Sequence, residues 1–227
     1  MIKPAAQPIQ NRERLKVEVM IFDLDGTLID SRADIARAVN DTLTSFGADA
    51  VPVQEIEKFV GTGVTPLIVQ RIRALDPSLV EKAIASFEDI YETTFLNATT
   101  TYPGVIKVLE HFLTMPKVVL TNKRTRFVEP ILVGLGIRQH FSAVFGAESL
   151  PVRKPHPRTI IEICRQLGAS VDDAAIIGDT EIDVATGKAA GCKTCAVSYG
   201  YGDVERLRAL DPDILIDSIG DLTAILY

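Results

Sequence analysis

Short apolar runs recur along the chain and predict the strands of a buried sheet. The first run, residues 16–23, begins with alternation at Val17 and Val19 and becomes continuously apolar at residues 20–22. A strand that is covered on both faces has this pattern. Similar β-branched runs follow at residues 117–121, 143–146, 174–177, 194–197 and 214–216. Because helical patterns separate most of these runs, we predict an α/β fold with a mostly parallel sheet.

The stretch between the first two predicted strands is too long for a single crossover, which needs only about a dozen residues and its helix. Its periodic segments are all helical. Apolar residues share one helix face in each of two segments: Ile35, Val39, Leu43 and Phe46, and Val80, Ile84, Phe87 and Tyr91. We therefore predict a helical insertion at residues 32–100 within a discontinuous α/β core of residues 17–31 and 101–227. Residues 1–16 are predicted to form a loose leader.

Composition and charge exclude several classes of protein. The 227 residues are 47% hydrophobic and 24% charged, which is typical of a globular protein and not of a disordered or fibrous chain. The formal net charge of -6 lacks the positive field that attracts nucleic acids or anionic membranes. No apolar run approaches the roughly 18 residues of a membrane span, and three cysteines, an odd number, favour a reducing compartment. We expect a cytoplasmic protein that binds neither nucleic acid nor membrane.

Two acidic clusters follow predicted strands. Residues 22–27 (FDLDGT) follow the first strand, and residues 178–183 (GDTEID) follow the strand at 174–177. The carboxyl ends of parallel strands meet at one edge of a sheet, where ligands bind. A turn or a helix cap formed by Asp179 or Thr180 would explain either cluster alone. Carboxylates that face one another repel unless a hard cation neutralises them, so the pair of clusters predicts a magnesium (Mg2+) site.

Two further segments are candidates for binding a phosphate group. Thr121, Asn122 and Lys123 lie between a strand and a predicted helix, where a hydroxyl and free backbone N–H groups point at an anion. Taken alone, this segment is better explained as an N-cap. Lys154 precedes Pro155, which favours an extended conformation for the lysine just before another helix. A lysine in this setting is usually solvated when it stands alone.

Taken in chain order, the two acidic clusters and the two candidate phosphate-binding segments between them resemble the haloacid dehalogenase-like superfamily. The resemblance extends over residues 17 to about 216. The resemblance implies a Rossmann-like core with an inserted helical cap. It also implies that Asp23 is a nucleophile that forms an aspartyl-phosphate and that Asp25 is the general acid and base. Mg2+ would be held by Asp23, the backbone carbonyl of Asp25 and Asp179. The phosphoryl oxygens would be bound by Thr121, Asn122 and Lys154, and the implied supporting residues are Thr27, Gly178 and Asp183.

Within this superfamily the chain most resembles the phosphoglycolate phosphatases. The matching segments are 22–31 (FDLDGTLIDS), 60–63 (VGTG), 153–157 (RKPHP), 178–192 (GDTEIDVATGKAAGC) and 199–202 (YGYG). Two positions depart from that pattern, because Thr62 stands where the family usually carries Asn, and Gln70 stands where it often carries Arg. Gly61, Thr62 and Gly63 are either a substrate-facing cap loop or a helix break.

The resemblance implies magnesium-dependent hydrolysis of a small phosphorylated metabolite, with 2-phosphoglycolate as the leading substrate. A phosphosugar, nucleotide or pyrophosphate phosphatase remains an alternative, as does a non-catalytic phosphate-binding regulatory relative. A dehalogenase is disfavoured because halide leaves without the proton that Asp25 would supply and without the metal that Asp179 would hold. The Cys192-x-x-Cys195 motif lacks a second pair, so we interpret both cysteines as buried small residues. The sequence leaves monomer and homodimer undecided.

Overall fold

The computed structural model describes residues 14–227 and contains eight strands and ten α-helices in that range. The strands are Val19–Phe22 (β1), Ile29–Asp30 (β2), Thr100–Thr101 (β3), Lys117–Leu120 (β4), Ala143–Phe145 (β5), Ala174–Gly178 (β6), Lys193–Val197 (β7) and Ile214–Ile216 (β8). The helices are Arg32–Ser45 (α1), Val53–Val60 (α2), Thr65–Leu75 (α3), Val80–Thr94 (α4), Val105–His111 (α5), Thr125–Gly134 (α6), Arg158–Leu167 (α7), Glu181–Ala190 (α8), Val204–Ala209 (α9) and Leu222–Ile225 (α10).

Six strands form one sheet in the order β5-β4-β1-β6-β7-β8, and every neighbouring pair is parallel. The prediction of an α/β fold with a mostly parallel sheet is confirmed. β1 lies near the centre, where Phe22 pairs with Val119 on one side and Ile177 on the other. The predicted run at 16–23 is longer than β1. The backbone N–H groups of Val17 and Glu18 donate to the carbonyls of Tyr227 and Asp173, which lie outside the strands of the sheet.

Both faces of the sheet are covered, as the continuous apolar run of β1 requires. Met20 and Phe22 belong to the large apolar cluster on one face, whereas Val19 and Ile21 belong to a second cluster on the other face. Successive side chains of a strand point to opposite faces. The burial of all four residues therefore follows from helices packing on both sides.

The connection between β2 and β3 contains the four helices α1–α4, and we call residues 32–100 the cap and residues 17–31 and 101–227 the core. β2 and β3 pair antiparallel, so the chain leaves and re-enters the core through one short ribbon. The buried carboxylate of Asp34 accepts hydrogen bonds from the backbone N–H groups of Ala98 and Thr99 and from the Thr99 hydroxyl. These bonds fix the first turn of α1 to the returning chain. The division into two domains stays a prediction.

The prediction of a loose leader at residues 1–16 lies largely outside the described residues. Of the last three, Leu15 pairs with Leu226 in an isolated bridge, and Arg14 donates a hydrogen bond to the Leu226 carbonyl. Within residues 14–227, no helix combines the length and the apolar character that a membrane crossing requires.

Candidate active site

The end of β1 places the first acidic pair. The Asp23 N–H donates to the Ile177 carbonyl at 2.9 Å, which is the last bond of this strand to β6. The chain then turns at Gly26, whose φ of 84° lies in the left-handed region that favours glycine. A Cβ atom at Gly26 would also collide with the Asp179 carboxylate. Glycine at this position therefore lets the two acidic clusters approach each other.

Three carboxylates from the two clusters meet at the edge of the sheet. Asp23, Asp179 and Asp183 are buried, and each offers one oxygen such that all three oxygens lie within 4.8 Å of one another. Lys154 enters the same cluster, with its Nζ 2.9 Å from Asp23 Oδ1 and 2.5 Å from Asp183 Oδ1. When these four groups are ionised, three negative charges face one positive charge.

Burial and mutual repulsion disfavour the charged carboxylates. Burial raises the pKa of Asp23 to about 6, although the nearby Lys154 acts in the opposite direction. Burial, followed by repulsion from Asp23 and Asp183, raises the pKa of Asp179 well above its usual range. Burial lowers the pKa of Lys154, but the attraction of Asp183 and Asp23 outweighs burial, and the net change is upward. The cluster therefore has an excess of negative charge that a cation would neutralise.

The donor set fits a hard divalent cation. All three side chains offer oxygen, and Mg2+ binds oxygen ligands with one or two carboxylates in most protein sites. Asp23 and Asp179, two of the predicted ligands, are brought together with Asp183. The carboxylate of Asp25 is not part of this group and lies against other partners.

Asp183 holds the cluster together. One of its oxygens accepts from the N–H and hydroxyl of Thr180, which forms the capping box of α8, and the other pairs with Lys154. The alternative that Thr180 is a helix cap is therefore correct, but Asp179 is free of that role. A Cβ at Gly178 would collide with Asp183, so this glycine permits the approach.

Thr27 and two backbone positions orient Asp179. The Thr27 hydroxyl donates to Asp179 Oδ1 at 3.1 Å, and the Tyr201 N–H donates to Oδ2 at 2.7 Å. Gly200 lies so close to this carboxylate that a Cβ there would collide with it. The YGYG segment at 199–202 thus packs around a predicted metal ligand.

Asp25 has its own set of partners. Its Oδ1 accepts a hydrogen bond from the Ser31 hydroxyl at 2.5 Å, and both of its oxygens lie 3.1 Å from Lys123 Nζ. Lys123 Nζ also donates to the hydroxyl of Tyr91 on α4 at 2.7 Å. Sequence reasoning placed Lys123 beside Thr121 but did not identify its pairing with Asp25. The only sequence signal was the position of the lysine directly after two predicted phosphate-binding residues.

The segment between β4 and α6 contains Thr121 and Asn122, both buried. Thr121 lies at the strand end, where its hydroxyl accepts a hydrogen bond from the Lys123 N–H. α6 begins only at Thr125 with Arg124 at its N-cap, so the alternative that Thr121 caps this helix is wrong. The Asn122 side-chain amide donates to the carbonyls of Lys154 and Gly61 at 3.0 Å each.

A cavity of about 330 Å³ lies between the cap and the core. Asp25, Asn122 and Lys123 line it from the core, and Thr62 and Gly63 line it from the cap. Gly61 contributes its carbonyl to the contact with Asn122. The remaining walls combine mostly apolar side chains with two arginines and one glutamate: Ile35, Val60, Val64, Thr65, Pro66, Phe87, Tyr91, Phe127, Ala147, Arg124, Arg153 and Glu148.

Known proteins resemble this chain over most of its length. The model of the family described as haloacid dehalogenase-like hydrolase matches residues 20–197. A phosphoglycolate phosphatase of Chromobacterium violaceum is 36% identical over 213 residues, covering 91% of this chain and 95% of the relative. A phosphoglycolate phosphatase of Haemophilus influenzae is 33% identical, covering 90% and 96%. The crystal structure of a predicted phosphoglycolate phosphatase from Haemophilus somnus superposes with a TM-score of 0.83 at 27% identity, covering 91% and 96%.

Proposed function

Because the chain belongs to the haloacid dehalogenase-like hydrolases and is a phosphatase, we propose that it hydrolyses 2-phosphoglycolate through an aspartyl-phosphate on Asp23 with the aid of Mg2+. The observation that carries this proposal is the buried cluster of Asp23, Asp179, Asp183 and Lys154 beside Asp25. A cluster that only stabilised the fold would not need three carboxylates against one lysine. The names of the relatives support the choice of substrate.

Asp23 is the proposed nucleophile. An oxygen of its carboxylate attacks phosphorus, a new oxygen–phosphorus bond forms, and the bond from phosphorus to the ester oxygen breaks. A water oxygen then attacks phosphorus, the bond to Asp23 breaks, and inorganic phosphate leaves with the Asp23 carboxylate restored. Covalent catalysis of this kind divides one difficult displacement into two easier ones.

Asp25 is the proposed general acid and base. Its carboxyl proton moves to the ester oxygen as the first bond to phosphorus breaks, and its carboxylate accepts a proton from the attacking water in the second step. An alkoxide leaves poorly without a proton, and such transfer is typically worth about 100- to 10,000-fold in rate. Asp25 lines the cavity, where a leaving group would lie.

The remaining groups neutralise and position charge. Mg2+ bound by Asp23, Asp179 and the Asp25 backbone carbonyl would neutralise charge on the phosphoryl oxygens. Lys154 pairs with Asp23 and would bind the same oxygens, together with the Thr121 hydroxyl and the Asn122 N–H. Phosphoryl transfer depends mainly on such positioning and neutralisation. Asp183 supports the cluster by holding Lys154.

The cavity favours a small anionic leaving group. Arg153 contributes a cation to its lining, while Lys123 and Arg124 are already paired with carboxylates, and the Thr62 side chain adds a hydroxyl from the cap. A carboxylate on the leaving group would be attracted to Arg153, whereas an uncharged alcohol would not. This argument favours phosphoglycolate over esters of uncharged alcohols.

The test is a substrate panel with a matched pair of variants. Wild-type protein should release phosphate from 2-phosphoglycolate with Mg2+, at a kcat/KM at least about tenfold above those for sugar phosphates, nucleoside monophosphates and pyrophosphate, a preference of about 1.4 kcal/mol. Asp23→Asn should abolish turnover and leave the melting temperature unchanged. Asp41 is an exposed residue on α1, and Asp41→Asn should retain activity. An Asp23→Asn protein with wild-type turnover would disprove the mechanism, and a preference for another ester would disprove the substrate.

A further inference from the structure

Three consecutive residues after β4 contact the cap at three places. Asn122 donates to the Gly61 carbonyl, Lys123 donates to the Tyr91 hydroxyl, and Arg124 pairs with Glu88. Residues 122–124 directly follow Thr121, a proposed ligand of the phosphoryl group. These three polar contacts between cap and core therefore lie next to the reacting groups.

Lys123 differs from its neighbours because its ammonium group also reaches the proposed acid. Both carboxylate oxygens of Asp25 lie 3.1 Å from Lys123 Nζ, and each of the two side chains is only 7% exposed. The Tyr91 hydroxyl accepts a hydrogen bond from the same Nζ, which lies 4.6 Å from the centre of the Tyr91 ring. Tyr91 itself is 1% exposed.

The environment of Tyr91 fixes the hydroxyl in place. The ring stacks on Phe87 within α4 and meets Phe127 of α6 edge to face, with centroids 5.7 and 5.0 Å away. A buried tyrosine usually finds a hydrogen-bond partner for its hydroxyl. Here the hydroxyl is a cap atom that holds a core lysine against a core carboxylate.

We propose that Lys123 is a positioning residue for Asp25 and that the Tyr91 hydroxyl of the cap holds Lys123 in that position. This inference rests on the proposed function, in which the Asp25 proton moves to the leaving oxygen. Lys123 acts by orienting the Asp25 carboxyl group toward the cavity and by stabilising the carboxylate that forms as the proton departs. A fixed donor aimed at developing charge lowers the barrier because it does not reorganise during the reaction.

The consequence depends on the leaving group. The alkoxide of 2-phosphoglycolate needs the proton from Asp25, whereas p-nitrophenolate leaves readily without one. A defect in the position of Asp25 should therefore reduce kcat/KM for the alkyl ester more than for p-nitrophenyl phosphate. A variant that only loosened the fold would reduce both values by the same factor.

The variants that test the proposal are Lys123→Met, Lys123→Arg and Tyr91→Phe. The matched control is Lys82→Met, because Lys82 is an exposed lysine on α4. Lys123→Met should lower kcat/KM for 2-phosphoglycolate at least about tenfold more than for p-nitrophenyl phosphate, within the range expected for proton transfer. Lys123→Arg should recover part of the loss, and Tyr91→Phe should show a smaller change in the same direction. Lys82→Met should resemble wild type.

The outcomes separate the inference from the proposed function. Equal losses for the two esters, or no loss in Lys123→Met, would overturn the role of Lys123. If Lys123→Met does not fold, Tyr91→Phe decides the matter, because it keeps the packed ring and removes only the hydroxyl. A wild-type protein that hydrolyses neither ester with Mg2+ would instead disprove the proposed function.

Discussion

The hydroxyl of Thr27 donates a hydrogen bond to Oδ1 of Asp179, a residue 152 positions away in the sequence. Both residues are fully buried. The bond joins the loop after β1 to the loop after β6, and thereby the proposed nucleophile segment to a proposed metal ligand. Its loss would leave a buried carboxylate oxygen with one fewer donor.

Replacing Thr27 with Val therefore tests this connection with almost no change in shape. A buried acceptor that loses its donor costs about 1–3 kcal/mol. We expect Thr27→Val to lower the free energy of unfolding by that amount in urea titrations and to weaken Mg2+ activation. Thr223→Val, at a threonine near the C-terminus whose hydroxyl donates to the Gly220 carbonyl, is the control. An unchanged Mg2+ dependence would contradict the orienting role of Thr27.

Substitution of Asp25 by Asn should separate the two chemical steps. The amide cannot accept a proton from the attacking water, so hydrolysis of the aspartyl-phosphate should slow by about 100-fold or more. Formation of the intermediate from p-nitrophenyl phosphate needs no acid and should persist. We expect a burst of about one p-nitrophenolate per enzyme followed by slow turnover in rapid-mixing experiments. A linear time course with full steady-state activity would show that Asp25 is not the base.

Binding of Mg2+ should stabilise the folded protein, because the ion neutralises the buried excess of negative charge. At a concentration 100 times the dissociation constant the gain is about 2.7 kcal/mol. We expect a rise in the melting temperature when Mg2+ is added and its reversal by a chelator, together with loss of activity. Asp179→Asn should abolish the rise in melting temperature, whereas Asp217→Asn, at an exposed carboxylate on the protein surface, should leave it unchanged.

The ion pairs between cap and core should contribute to substrate retention. Glu88 of α4 pairs with Arg124 and Arg126 of the core and is largely buried. The arginine side chains are about 40% exposed, so each pair is worth only about 0.2–1 kcal/mol. We expect Glu88→Gln to raise KM about two- to fivefold with little change in kcat.

The control for Glu88 is Glu81→Gln, an exposed carboxylate on the same helix. It should leave KM unchanged. If raising the salt concentration increases the KM of wild type and Glu88→Gln by the same factor, these ion pairs do not hold the cap against the core.

Local patterns in the sequence predicted the fold and the meeting of the two acidic clusters. The apolar runs predicted the sheet because a strand buried on both faces needs such residues, and the helical periodicity at 35–46 and 80–91 predicted α1 and α4. The two acidic clusters predicted a meeting of carboxylates because parallel strands end at one edge. The structure brings together Asp23, Asp179, Asp183 and Lys154 in this way.

Other features depended on contacts between distant segments. Periodicity cannot show that the Lys123 ammonium lies between Asp25, 98 residues away, and Tyr91, 32 residues away. Nor can it show that the Asn122 amide bridges Gly61 and Lys154. The sequence by itself therefore determined which groups carry charge and which strands they follow. Only the tertiary structure decided which of these groups touch, because side-chain partners are selected by how the cap packs on the core.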